Sequence, residues 1–489
     1  MTALFLRLLP DVRGKPLHED EAVAGLISMR PFGEMLGTVV VDRGGAPLHF
    51  VLAHIVFAVD ASADALRSLS IVFALATIPV CYDLGRRLGG PLTGLTTAAL
   101  AAASQLLLVY GTFGRMYSLF AFASAVAADL FLRALERPHP RTAPAAAAGA
   151  LLLLAVHPFG VFMVGAEAAV ALLLWRGRHL REALPTLAIA VLGVPVVLAN
   201  LRLSDRYAAE AGQDLSGGYS TFDAVVRALG GSAGGRGLLF VAFALAAAVG
   251  LVTVLRRSRS LAAFFVLALV VPPLALGIAG GFELTSDRLS PRHFIFLLPL
   301  WTVLVALGVT STRLRFVLAA AVVVAAILAP TAVHDPRTMP TGERAALAAP
   351  SRWVRDYVSS GDVVYPYSPL FLAALPEARE ARAYPREPVA LERAADRTSR
   401  VGSVLVSVPI RDPVPASVRA EIRRHGVELH AFGSWLVLRA SGPFADGLSA
   451  LAATAQMLTI ASEELQGSPL TLSFVEQLRG TAYLAVRCA

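Results

Sequence analysis

Four short stretches of this 489-residue chain bring together residue types that can do chemistry. Glu19-Asp20-Glu21 sets three carboxylates side by side. Gly111-Thr112-Phe113-Gly114-Arg115-Met116-Tyr117-Ser118 carries a guanidinium next to an aromatic hydroxyl. His157-Pro158-Phe159 supplies an imidazole, and Asp287-Arg288-Leu289-Ser290-Pro291-Arg292-His293-Phe294 adds two guanidiniums and a second imidazole. A carboxylate can act as general base toward a hydroxyl, or hold a divalent cation. An arginine never deprotonates in a protein and grips a phosphate or diphosphate with a bidentate fork.

Each stretch also has a plainer reading. Acidic residues beside a membrane are often a solvated loop. Arg115 and Arg292 can be interfacial anchors whose heads snorkel to water. His157, ahead of a proline, can simply cap a helix break. His49 and His54 lie in an apolar stretch and are expected to pack. The functional reading gains weight only if one set of elements delivers all four stretches to the same place.

The rest of the sequence says what those elements are. Hydrophobic residues make up 56% of the chain, above the roughly 45–50% of soluble domains. Mean hydropathy is +0.64. Charged residues are only 16%. The net charge of +8 is mostly arginine gathered at the ends of apolar runs, so it speaks for membrane topology and not for a nucleic-acid partner. Cys81 and Cys488 suggest two unpaired thiols and no disulfide framework. No cleavable signal peptide is read at the start. Metal-ligand spacings of the HExxH or CxxC type are absent, as are a Walker glycine loop and a GxSxG elbow, so soluble nucleotide chemistry is not indicated.

Apolar runs occupy 47–59, 65–84, 92–110, 116–132, 143–175, 183–200, 237–255, 261–281, 293–310 and 314–330. Residues 1–9 are apolar but short of the roughly 20 needed to cross. Residues 22–41 have helical spacing broken at Pro31 and Gly33, which suits short interfacial helices within an outer loop 11–45. Arg86-Arg87, Arg133/Arg137/Arg141, Arg176/Arg178/Arg181, Arg256-Arg257-Arg259 and Arg313/Arg315 belong on the cytoplasmic side. They alternate consistently if 143–175 is a hairpin turning at His157-Pro158-Phe159-Gly160 and 47–59 does not cross alone. The segments 11–45, 111–115, 157–160, 201–236 and 282–292 then face outward together. That is where the four chemical stretches lie.

After Pro330 no run is long enough to span. Asp362–Tyr365, Ser403–Val408 and Trp435–Leu438 read as strands; 343–359, 415–425 and 445–465 read as helices. The predicted fold is a polytopic α-helical membrane protein, with about 10 transmembrane or membrane-embedded helices in residues 1–330 and a small extracytoplasmic α/β domain in 331–489.

The order of short motifs resembles the GT-C glycosyltransferases of bacterial membranes, of the mannosyltransferase type related to protein O-mannosyltransferases and aminoarabinose transferases. The matching residues are Asp20-Glu21-Ala22, Ala46-Pro47-Leu48-His49, Arg67-Ser68-Leu69-Ser70, Pro79, Tyr82, Leu84-Gly85-Arg86-Arg87-Leu88, Arg115-Met116-Tyr117-Ser118-Leu119, Val156-His157 and Ser290-Pro291-Arg292-His293. They span about residues 17–310. Three departures stand out. Thr112-Phe113 replaces a Gln-Glu pair, Ala46 replaces a proline, and the first membrane helix is largely missing.

The resemblance implies transfer of a sugar from a polyprenyl-phosphate donor to an extracytoplasmic hydroxyl on a glycan, lipid or protein, at the cell membrane. It implies that Asp20 is the catalytic base or the acceptor-side carboxylate, with Glu21 as its helper, and that Arg115, Arg292 and Arg288 attend the donor phosphate, with His157 and Tyr117 nearby. Membrane lipid is the other expected partner. No cofactor is required, although carboxylates can hold a divalent cation; the metal, if any, is not identified. Two other classes compete: a non-catalytic relative that scaffolds envelope assembly, and a transporter or flippase. A transporter should place polar groups near mid-membrane and show internal repeats. Here the polar groups collect at one face and no repeat is evident.

Overall fold

The structure, a computed structural model, describes residues 2–12, 19–42, 45–60, 62–136, 139, 141–174, 184–198, 219–281, 288–335, 353, 362–365, 382–383, 401–409, 416–424, 426–432 and 435–445. The chain divides into two compact units. The first comprises Met1–Gly14, Phe32–Val56 and Asp64–Asp335; the second comprises Lys15–Pro31, Phe57–Ala63 and Pro336–Ala489.

The first unit is helical. Its described helices are α1 (Thr2–Val12), α3 (Phe32–Asp42), α4 (Leu48–Phe57), α5 (Ala63–Gly89), α6 (Pro91–Ala103), α7 (Gln105–Tyr110), α8 (Tyr117–Glu136), α9 (Thr142–Val156), α10 (Gly160–Leu174), α11 (Leu184–Leu198), α12 (Thr221–Ser232), α13 (Leu238–Arg257), α14 (Arg259–Gly281), α15 (Leu298–Thr310) and α16 (Arg315–Leu328). A 3-10 segment, Pro291–Leu297, leads into α15. Among the described residues, five stretches are long and apolar enough to cross a membrane: Ala63–Gly89, Tyr117–Glu136, Leu238–Arg257, Arg259–Ile278 and Pro291–Thr310. Shorter apolar helices, α4, α6, α9, α10, α11 and α16 among them, fill out the bundle. The expected hairpin within 143–175 is present as α9 and α10, turning at His157–Phe159.

Two features differ from the sequence expectation. The run 92–110 is not one helix. It breaks at Ser104, whose backbone is non-helical and whose hydroxyl caps α7 by accepting from the Leu107 amide while donating to the Gly231 carbonyl at 3.0 Å. The segment 201–236, expected only to face outward, contains α12, which packs on α7, α14, α15 and the 3-10 segment. Its glycines Gly230 and Gly231 lie so close to neighbouring atoms that a side chain would not fit.

Charge closes one end of the bundle. Asp129 near the end of α8 binds Arg87 at 3.0 Å and Arg133 at 2.6 Å, and Arg133 reaches Asp83 at 3.1 Å. Arg257 at the end of α13 donates to the Leu88 carbonyl at 2.8 Å. Three of the arginine clusters read from the sequence therefore converge. Tyr117 stands at the other end of α8, a helix of 20 residues. That is about 30 Å at 1.5 Å per residue, about the thickness of a hydrocarbon layer.

In the second unit, α2 (Glu19–Ser28) holds the acidic cluster. A five-stranded sheet has the order β4-β3-β5-β7-β6. Here β3 (Val363–Tyr365) is parallel to β4 (Arg382–Ala383) and to β5 (Val401–Pro409), and β7 (Trp435–Phe444) is antiparallel to β5 and to β6 (Val427–Phe432). The buried Asp362 carboxylate accepts from both the amide and the hydroxyl of Ser403 at 2.8 Å, fixing the entry to β3 against β5. A helix, Ala416–Arg424, precedes β6. The helices expected at 343–359 and 445–465 lie outside the described residues.

Candidate functional site

At the Tyr117 end of the bundle the sequence-predicted residues of the first unit gather. The segment 111–116 links α7 to α8. Gly111 closes α7 through its amide on the Leu107 carbonyl at 2.7 Å. Phe113 is fully buried and packs edge-on to Tyr110, with centroids 5.7 Å apart. This explains a departure noted above. The residue standing where the resemblance leads one to expect a glutamate is an aromatic anchor in the core, so it adds no charge. Its burial leaves Arg115 as the polar residue the segment presents.

Two side chains that the sequence did not single out hold this segment. Ser70 on α5 donates its hydroxyl to the Phe113 carbonyl at 2.6 Å and to the Arg115 carbonyl at 3.3 Å. His49 on α4 is hydrogen-bonded to the backbone of Gly114, and its buried Nε2 has no partner in the protein among the described residues. His49 was expected only to pack. Both residues lie within the motifs that carried the family resemblance, and that was the available signal.

Tyr117 begins α8 and is buried. Its ring centroid is 5.2 Å from Tyr110, 6.2 Å from His157 and 6.5 Å from His293. The Arg292 guanidinium stands over it at 5.5 Å. Arg292 is delivered by the 3-10 segment, whose start is doubly fixed. Strand β1 (Tyr219–Ser220) pairs antiparallel with β2 (Arg288–Leu289), Tyr219 opposite Leu289 and Ser220 opposite Arg288. Next, Ser290 and His293 form a reciprocal capping box. Arg288 thus joins the backbone ladder leading to Arg292; its side chain lies outside what is described.

His157 is the C-cap of α9, with an extended backbone. Its ring stacks on Phe120, with centroids 4.7 Å apart and planes 14° apart, and its Nδ1 accepts the Phe159 amide at 3.0 Å. The plain capping reading holds, and the ring also lies in the field of two arginines. Burial, then Arg115 and Arg292, pushes the His157 pKa down to about 3, and the imidazole is neutral at physiological pH. Arg115 and Arg292 thus both act on His157, whose ring belongs to a cluster with His293, Tyr117 and Tyr110.

Asp20 and Glu21 lie in the first turn of α2 in the second unit, where the helix dipole favours a carboxylate. Asp20 is half-buried and Glu21 is fully buried. The side chain of Glu19 lies outside what is described. Among the described residues, no group of three or more His, Cys, Asp or Glu side chains is placed to hold a metal ion.

Comparison with known proteins agrees with this architecture. Residues 44–202 match the dolichyl-phosphate-mannose-protein mannosyltransferase family. The fold is that of ArnT from Cupriavidus metallidurans. Against its undecaprenyl-phosphate-bound structure the TM-score is 0.54 at 15% identity, covering 91% of this chain and 97% of that one. Against the apo structure the values are 0.52 and 13%, with the same coverage. The archaeal oligosaccharyltransferase AglB from Archaeoglobus fulgidus aligns at 0.44 and 14% identity over 83% of this chain and 69% of that one. No curated protein matches the sequence. Residues 44–202 thus carry the mannosyltransferase family's pattern, and the chain shares the ArnT fold along most of its length.

Proposed function

We propose that the protein is a glycosyltransferase that moves a sugar from a polyprenyl-phosphate donor to a hydroxyl on an extracytoplasmic glycan, lipid or protein. The observation that carries the proposal is the meeting of Arg115 and Arg292 at the neutral His157, at one end of the helical bundle. Fixed, permanently charged donors facing a low-polarity surround suit a phosphate whose charge grows as it leaves. The solved ArnT bound to undecaprenyl phosphate supports the donor class.

In this mechanism the acceptor hydroxyl gives its proton to Asp20, with Glu21 supporting that carboxylate. The oxygen attacks the anomeric carbon. The bond from that carbon to the phosphate oxygen breaks, and its electron pair leaves with the polyprenyl phosphate. Arg115 and Arg292 meet more negative charge in the transition state than in the ground state, and that difference lowers the barrier. No covalent sugar-enzyme intermediate is required, and no metal carries a step.

The test is transfer from a panel of polyprenyl-phosphate sugars by the purified protein in detergent, with Asp20→Asn as control. We expect one donor to be used and the variant to lose roughly 10²–10⁴-fold in rate, the contribution of a general base. Unchanged transfer by Asp20→Asn removes Asp20 from the mechanism. Failure with every donor removes the proposed activity.

A further inference from the structure

Helices α5 and α8 stand apart between two ties. One tie is the contact of the Phe73 and Phe122 rings, with centroids 5.6 Å apart. The other lies at the charged end, where Asp83 binds Arg133 at 3.1 Å and Asp129 binds Arg87 at 3.0 Å. Between them is a cavity of about 330 Å³, lined by Pro79, Val80, Val126 and Leu130 and bounded at one end by Asp83 and Arg133. Phe122 to Arg133 is about 16 Å along α8 at 1.5 Å per residue. That is about half of a 30 Å hydrocarbon layer, so the groove has the reach of one leaflet's acyl chain. The charges at its end are layered. The Asp129 side chain is only 10% exposed, whereas Arg86 and Arg133, which each take one oxygen of Asp83, are 55% and 43% exposed. The carboxylates thus turn inward and the guanidiniums outward. Arg86 uses one nitrogen on Asp83, and its other two have no hydrogen-bond partner among the described residues. With Arg87, Arg257 and Glu136 included, guanidiniums outnumber carboxylates in this network four to three.

We propose that the groove between α5 and α8 binds an anionic phospholipid, with one acyl chain along Val80, Val126 and Leu130 and the phosphodiester on Arg86 and Arg133. The site is at the far end of α8 from Tyr117 and does not depend on the transfer reaction. An apolar slot between membrane helices favours a lipid chain, because an empty slot leaves its lining without contacts on one side. That effect alone would take any phospholipid. The headgroup is selected by charge. A guanidinium grips a phosphate oxygen with directional N–H groups, and basic pockets between membrane helices attract anionic headgroups. The ammonium of a zwitterionic headgroup meets the outward guanidiniums instead, since the carboxylates that could receive it are already bonded to arginines. Arg86, Arg87 and Arg133 belong to clusters that the positive-inside rule assigns to the cytoplasm, so the lipid is one of the cytoplasmic leaflet.

The experiment titrates delipidated full-length protein in detergent with palmitoyl-oleoyl phosphatidylglycerol and with the phosphatidylcholine of the same chains. Native mass spectrometry counts the bound lipids and gives their Kd. Phosphatidylglycerol should bind one site about tenfold more tightly, the effect of one or two arginines near an anionic headgroup. Arg86→Gln, a change at an exposed side chain, should lower phosphatidylglycerol to the level of phosphatidylcholine. Val126→Trp, which fills the groove, should remove the tight site; Leu130→Phe is a milder filling change with the same expected outcome should Val126→Trp fail to fold. Equal binding of the two lipids by the parent overturns the proposal and leaves non-selective annular lipid only. Tight phosphatidylglycerol binding that survives the filling change also overturns it, because the site then lies elsewhere. None of these residues belongs to the proposed transfer machinery, so either failure leaves that reading untouched.

Discussion

The guanidinium of Arg292 lies over the ring of Tyr117, with Cζ 5.5 Å from the centroid. The two residues come from distant parts of the chain, one from the 3-10 segment before α15 and the other from the first turn of α8. The ring face attracts the cation, whose planar N–H fork is directional in a way an ammonium is not.

Arg292→Lys keeps the charge but loses the plane and the fork. We expect kcat/KM for the donor to fall about 10²-fold, with the melting temperature little changed, because the loss lies in transition-state contacts. Initial rates against donor concentration give the value. Parental rates would show that a point charge suffices at this position.

Ser70→Ala tests the support behind Arg115. The hydroxyl bonds two carbonyls of the 111–116 segment, and that of Phe113 is buried. The Phe113 carbonyl keeps the Arg115 amide at 2.6 Å, so losing the Ser70 bond costs about 0.5–1.5 kcal/mol of stability. Transfer should also slow severalfold, because small displacements of a phosphate-holding group are costly. Denaturation in detergent and steady-state rates read the two effects separately.

His157 predicts a pH dependence of stability. Its folded pKa is down to about 3, against about 6.5 in the unfolded chain. Between these values the unfolded state binds more protons, so stability rises with pH. This contribution is fully present above about pH 6.5 and is lost as pH falls toward about 3. Relative to His157→Gln, the parent's melting temperature should therefore drop more steeply as pH is lowered from 7 to 4. Parallel curves would contradict the neutral buried imidazole.

Helices α13 and α15 touch backbone to backbone. A side chain on Gly308 would collide with the Ala246 carbonyl, and one on Gly250 with the Leu304 carbonyl. Small residues permit such close approach between membrane helices. Gly308→Val should cost about 1–3 kcal/mol or more, since backbone cannot yield as a flexible side chain would. Thermal denaturation with scoring of the folded fraction measures it. A variant as stable as the parent would mean that the helices separate at little cost.

Much of the helical unit was legible in the sequence. Apolar runs announce α5, α8, α13 and α14, because every backbone group in lipid must be satisfied within its own helix and only long apolar helices meet that demand. The hairpin turn at His157 was legible from proline and glycine, which cannot continue a helix there. Ser104 was not legible as a break. Its role depends on the Gly231 carbonyl, which is 127 residues away.

Of the candidate site, the sequence by itself determined the residue types: permanent charge at Arg115 and Arg292, an imidazole at 157, and carboxylates at 20 and 21. Their order along the chain was enough to suggest a family. What only the tertiary structure decided is which of them meet and in what state. Whether Phe113 would lie at the surface or plug the core depended on the rings of Tyr110 and Tyr117. Whether His157 would be charged depended on burial and on two arginines from other elements. The reason is physical: propensity and hydropathy act over a few residues, whereas desolvation and charge act through space, between residues that the fold alone brings together.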